Sequence, residues 1–153
     1  MAIVEERLAA LGLTVRDVVP PVAAYVPAVR SGRYVYTSGQ LPMVDGVLAE
    51  TGKVGEDVTP ERAAELAAIC ALNAIAAVKS VAPLDEVVRV VKVVGFVASA
   101  PTFTGQPGVI NGASNLFLSA FGDVGAHARS AVGVAVLPLD APVEVELVVE
   151  LAE

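Results

Sequence analysis

From residue 129 to residue 136 the side chains alternate by size. A strand here would send Ser130, Val132, Val134 and Val136 to one face and Arg129, Ala131, Gly133 and Ala135 to the other. The valine face reads as core. The opposite face is a floor of Ala and Gly with a guanidinium at its end, and small residues in a strand mark where a ligand or another backbone comes close. Residues 143–150 alternate as well, with Val143, Val145, Leu147 and Val149 set against Glu144, Glu146 and Glu150. The two segments are predicted to pair as a hairpin through residues 137–142, and Arg129 and Glu144 to share one cleft.

Upstream, Val4, Leu8 and Leu11 at helical spacing predict a short amphipathic helix over residues 3–11, stopped by Gly12. Beyond the Pro20-Pro21 break, residues 24–29 and 34–38 read as strands joined through 30–33. Asp45-Gly46 and Thr51-Gly52 are turn signals. Thr59 as N-cap, Pro60 at the first helical position and Glu61 in the first turn open the longest helix. Its stripe of Ala63, Leu66, Ile69, Cys70, Asn73, Ile75, Ala77 and Val81 ends at Pro83, so Cys70 is predicted to be a core thiol. Residues 87–98 are apolar on both faces apart from Arg89 and Lys92, the pattern of a central strand, with Gly95 marking a bulge or bend. A Pro/Gly/Thr loop over 100–108 leads to a second long helix over 109–121. Two long helices cover one face of a mixed sheet. The other face must find a partner, which places the Arg129 cleft between subunits.

Composition sharpens that expectation. Of the 153 residues 55% are hydrophobic and 18% charged, with a mean hydropathy of +0.67, and self-association is the usual cover for such apolar surplus in a small domain. The uncharged stretch over residues 93–122 is broken by Pro, Gly and amides, so it lacks the roughly 20 consecutive apolar residues of a membrane helix. Ten basic residues against 17 acidic ones give a net charge of −7 with no basic cluster, which opposes nucleic acid as a partner. The single Cys and the lack of a charged, then apolar, N-terminal leader pattern favour the cytoplasm. One His and one Cys leave no metal site of recognisable spacing.

Three segments together resemble the RidA (YjgF) family, known in older usage as translation initiation inhibitors or L-PSP endoribonucleases. They are residues 34–42 (YVYTSGQLP), the helix from Asn111 to Phe117 and Phe121, and Ala128-Arg129-Ser130 through Leu137-Pro138 to Val143-Glu144-Val145-Glu146. The resemblance runs from about residue 22 onward. It implies an α+β, chorismate-mutase-like fold: a mixed sheet with two long helices on one face and a short N-terminal helix, one domain over residues 1–153 with 1–20 as an extension, assembled as a homotrimer with sites between subunits. It further implies a cofactor-independent enamine/imine deaminase. Such a hydrolase converts reactive 2-imino acids such as 2-aminoacrylate to 2-keto acids and ammonia. Arg129 takes the substrate carboxylate, Glu144 positions water, and Tyr25, Ser38, Gly39, Asn111 and Ala131 line the pocket. The chain departs from the family pattern at Ala131, where active members commonly carry Cys, at His127, read here as a loop residue outside the pocket, and in a longer loop before Asn111.

The chemistry suits those residue types. A guanidinium grips a carboxylate bidentately, and an imine carbon is already electrophilic, so the protein must mainly place water and manage one proton. The competing readings are a non-catalytic trimer that binds small carboxylates and a chorismate-type isomerase. The second is disfavoured because Arg129 is the one obvious pocket cation for a dicarboxylate. Endoribonuclease action is disfavoured by charge.

Overall fold

The computed structural model describes residues 3–21 and 23–153; Met1 and Ala2 of the predicted extension, and Val22, lie outside the described residues. Seven strands and three helices follow in the order α1 (Ile3–Ala10), β1 (Ala28–Ser31), β2 (Tyr34–Thr37), β3 (Met43–Val44), β4 (Val47–Leu48), α2 (Pro60–Lys79), β5 (Val87–Ala98), α3 (Gln106–Phe121), β6 (Ala128–Val134) and β7 (Val143–Leu151). The main sheet has the order β1-β2-β7-β5-β6, and β3-β4 is a separate small hairpin turned by Asp45-Gly46. All pairings in the main sheet are antiparallel except β5 with β6. That parallel pair needs a crossover, which α3 supplies.

Capping and patterning set the long elements. The Thr59 hydroxyl accepts from the Arg62 amide at 3.1 Å, and Pro60 fills the first helical position where a missing N–H costs nothing. α2 and α3 lie against each other and cover one face of the sheet. They bury Val93 and Val97 of β5 and Val143, Val145, Leu147, Val149 and Leu151 of β7. The helices meet closely at Gly112, where a Cβ would lie 2.7 Å from the Ala64 carbonyl carbon. Cys70 is fully buried in this core. α1 buries Val4 and Leu8 and caps its first turn on a distant carboxylate, with the Ile3 and Val4 amides donating to Asp85 at 3.0 and 3.2 Å.

Several local expectations are corrected. The first strand begins at Ala28, with residues 24–27 in a loop, and Leu11 points to solvent. Asn73 is not a core residue of α2: its amide donates to the Leu41 and Met43 carbonyls, both at 3.0 Å. Gly95 carries no bulge. The β5 irregularities lie between Val87 and Arg89 and between Val90 and Lys92, while Gly95 makes room for Ile110 of α3.

Two corrections reach the site. β6 and β7 do not form a hairpin, because β7 inserts between β2 and β5 while β6 takes the edge beside β5. The faces of β6 are also reversed from the expected order. Val132 and Val136 are 43% and 67% exposed, whereas Ala131 packs against the core and Gly133 faces the Gln106 side chain. The small residues do mark a close approach, but of α3 itself. The open face of the sheet, carrying Tyr34, Tyr36, Phe96 and Val132, is the one left without cover.

Candidate functional site

Arg129 opens β6 on the helix side. Its Nη1 donates to Asn111 Oδ1 at 2.8 Å and to Ser114 Oγ at 3.1 Å, and its Nη2 donates to the Pro107 carbonyl at 3.1 Å. Asn111 and Ser114 stand one turn apart on α3, so both face the strand. Three of the five guanidinium N–H groups are thereby engaged. Nε makes no hydrogen bond to the described residues, and with the second Nη2–H it leaves the guanidinium donors for a carboxylate. Asn111 therefore serves the guanidinium directly. Ala131 follows two residues on, on the same face of an edge strand.

His127 lies in the loop just before β6, as expected, and is tied into this cluster. Its Nε2 is 2.8 Å from Ser114 Oγ, its Nδ1 is 2.6 Å from the Gly125 carbonyl, and its ring meets Phe117 edge-on. Ser114, buried on α3, is the member of this cluster that sequence reasoning missed. The signals available were its position one turn after Asn111 and the matching strand parity of His127 and Arg129.

A second cluster lies elsewhere. Glu144 belongs to β7 opposite Phe96, on the open face, and its carboxyl group rests against the Gly39 backbone. A side chain at Gly39 would place its Cβ 2.7 Å from Glu144 Cδ, so only glycine leaves this space free. Around the pair is a cavity of about 60 Å³ walled by Val19, Pro20, Tyr25, Leu41, Met43 and Pro138, large enough for a few waters. Burial, and secondarily the neighbouring Glu146, raise the Glu144 carboxyl above its ordinary range. The wall is positioned from behind: Asn73 of α2 holds residues 41 and 43. Ser38 holds the Tyr25 loop, its hydroxyl donating to the Val26 carbonyl at 2.6 Å and its amide to that of Pro27 at 2.8 Å. Ser38 thus spends both donors on the loop instead of presenting them at the rim.

Within one chain the two clusters do not meet. Arg129 pairs with Val93 on the helix side, and Glu144 with Phe96 on the open side, with β5 between their strands. The expected shared cleft is therefore absent from a single copy. Tyr25, Gly39 and Glu144 form one half, while Asn111, Arg129 and Ala131 form the other.

The sheet and its helix layer have close counterparts among known proteins. The chain matches the Endoribonuclease L-PSP family over residues 15–151, a span that starts inside the predicted N-terminal extension, and it belongs to that family. It is 45% identical over 150 residues to Protein TCP17 of Trypanosoma cruzi, covering 97% of this chain and 94% of that one. Among solved structures it is similar to Atu1372 of Agrobacterium tumefaciens, a protein of unknown function, with a TM-score of 0.91 at 47% identity over 99% of this chain and 94% of that one. It is similar also to the YjgF gene product of E. coli, with a TM-score of 0.60 at 28% identity over 88% and 93% of the two chains. No helix of the described residues is long and apolar enough to cross a membrane.

Proposed function

We propose that Arg129 of one copy and Glu144 of a neighbouring copy form one site that hydrolyses small 2-imino or enamine acids to 2-keto acids and ammonia. One observation carries the reading: each half is finished in itself yet lacks what the other offers. Arg129 is anchored by three hydrogen bonds with Nε unpartnered among the described residues, and Glu144 stands over a cavity for a few waters with no cation of the described residues paired to it. The unpartnered edge of β6 and the uncovered face of the sheet, with Tyr34, Tyr36 and Val132 exposed, give a second copy a surface to occupy, consistent with a homotrimer.

The reaction balances with the groups present. Protonation of the enamine methylene of 2-aminoacrylate gives the 2-imino acid, whose carboxylate lies on Arg129. Glu144 takes a proton from water as its oxygen bonds to C2 and the C=N pair moves to nitrogen. The protonated Glu144 returns that proton to the amine. The C–N bond then breaks as Glu144 takes the proton of the C2 hydroxyl, C=O forms and ammonia leaves, and that proton returns to solvent, replacing the one the solvent gave to the methylene. A carboxyl raised by burial is a better base for this shuttle than an exposed one. The row of Glu144, Glu146 and Glu150 on the open face of β7 would repel a phosphodiester backbone, which argues against RNA as substrate.

The test is release of 2-keto acid from an amino-acid dehydratase reaction. Arg129→Ala is expected to abolish the acceleration while the oligomer survives, and unchanged release sinks the proposal. Carboxylate binding through Arg129 without any acceleration by the wild-type protein would identify a binding module instead.

A further inference from the structure

We infer that Ser114 and His127 are a positioning pair that fixes the direction of the Arg129 guanidinium; this rests on the reading of Arg129 as the carboxylate anchor. The hydrogen bonds run in one order. The Gly125 carbonyl can only accept, so His127 Nδ1 carries the hydrogen of the 2.6 Å contact, and in the neutral ring Nε2 is then an acceptor. Ser114, 2.8 Å away, donates its hydroxyl hydrogen to Nε2. With that hydrogen committed, the lone pairs of Ser114 Oγ are left to receive Arg129 Nη1–H at 3.1 Å.

Each link removes a freedom the site could not tolerate. A serine hydroxyl within a helix can turn to bond the carbonyl one turn back, here that of Ile110, and would then offer Arg129 a poorer acceptor. His127 prevents that rotation. The ring is itself held twice, by the Gly125 carbonyl and by the edge-on contact with Phe117, whose ring centroid is 6.1 Å away at 89°. Ser114 is buried among the helix residues, so neither partner is an adaptable surface group. Arg129 comes from an edge strand on a long side chain with much rotamer freedom to lose. Asn111 and Pro107 bind it from the start of α3, and Ser114 supplies the anchor one turn further on. The guanidinium is held in one direction as a result.

The test separates hydrogen bonding from packing by measuring pyruvate binding calorimetrically on the assembled protein. Pyruvate is the 2-keto acid that 2-aminoacrylate would release. Ser114→Ala is expected to weaken its Kd about tenfold, the size of one lost hydrogen bond to a charged group. His127→Phe keeps a ring against Phe117 but offers no acceptor, and should weaken binding by a similar factor. His127→Gln places an amide oxygen near the Nε2 position and should stay within about twofold of the wild type. The Ser114→Ala/His127→Phe double variant should bind no more weakly than Ser114→Ala alone, because His127 acts through Ser114.

Equal losses in the Phe and Gln variants, or additive losses in the double variant, overturn the pairing. If Arg129→Ala abolishes pyruvate binding and His127→Phe leaves it untouched, the pairing fails while the carboxylate reading stands. Pyruvate binding unaltered in Arg129→Ala removes both. The unmodified protein gives a check free of folding effects: its one histidine provides a single set of imidazole 15N resonances. The Nε2 signal should move when pyruvate saturates the site, and a stationary signal counts against the chain of bonds.

Discussion

Replacing Gly39 with Ala should leave the fold intact and disable the site. The added Cβ would stand 2.7 Å from Glu144 Cδ and 3.1 Å from Cγ. Carbon atoms settle about 3.5–4.0 Å apart, so the carboxyl group must retreat by about 1 Å. Glu144 is half-buried beside a cavity and can swing away at little cost, while the backbone of Gly39 needs no left-handed conformation. Stability should therefore hold, or rise by up to about 1 kcal/mol through the stiffer unfolded chain. Chemistry has no such escape. A misplacement of about 1 Å costs on the order of a hundredfold in rate, or about 2.7 kcal/mol of barrier. The assay is the rate of 2-keto acid release from a dehydratase mixture, read beside a thermal melt. Gly39→Ala in a Glu144→Ala background should add nothing further. A variant with wild-type rate and wild-type melting would refute the assignment of Glu144 to the reacting water.

Other outcomes follow from the same geometry. Two glycines of α3 should respond with opposite signs. Gly112→Ala drives a Cβ into the Ala64 carbonyl, backbone against backbone, and should cost about 1–3 kcal/mol in denaturant unfolding. Gly108→Ala meets nothing within 4 Å and should stabilise by up to about 1 kcal/mol. The raised Glu144 carboxyl makes the folded state hold its proton more tightly than the unfolded state does. Its contribution is favourable below the ordinary glutamate range near 4.5 and is lost as pH rises through the raised value. Glu144→Gln should accordingly raise the melting temperature at pH 7 and leave it unchanged near pH 4. Burial, with the nearby Glu144 charge, pushes the Cys70 thiol well up, so a thiol reagent should react only after denaturant is added.

The elements whose signals are local were legible in the chain. Thr59-Pro60-Glu61 marks the start of α2 because capping depends on adjacent residues, and residues 87–98 match β5 because a strand covered by helices on one face and edged by neighbours stays apolar throughout. Partner choice was not legible. Period-2 alternation in β6 assigns two faces but not which is covered, and Ala131 and Gly133 are inward because α3 lies directly on them. The loop over residues 137–142 is short enough for a hairpin, and nothing in it shows that β7 passes β6 to sit between β2 and β5. The site shared that fate. Its members are readable one by one, yet their division into two clusters depends on that strand order. Ser114 was missed because its spacing from Asn111 gains meaning only once the groups facing that helix side are known.

That strand order also governs how the chain is made. β7 is the one link between the β1-β2 hairpin and the β5-β6 pair, and residues 34–36 find their partners at 148–150. While a ribosome is still adding the last of these strands, the sheet exists as two unjoined pieces, and the valine-rich flanks of β5 have no neighbour on one side. Contacts this far apart in sequence make folding slow and leave apolar edges open to other nascent chains. A break in translation before residue 143 would therefore release an aggregation-prone fragment, not a smaller working protein, and a chaperone that shields β5 would matter most during those final residues.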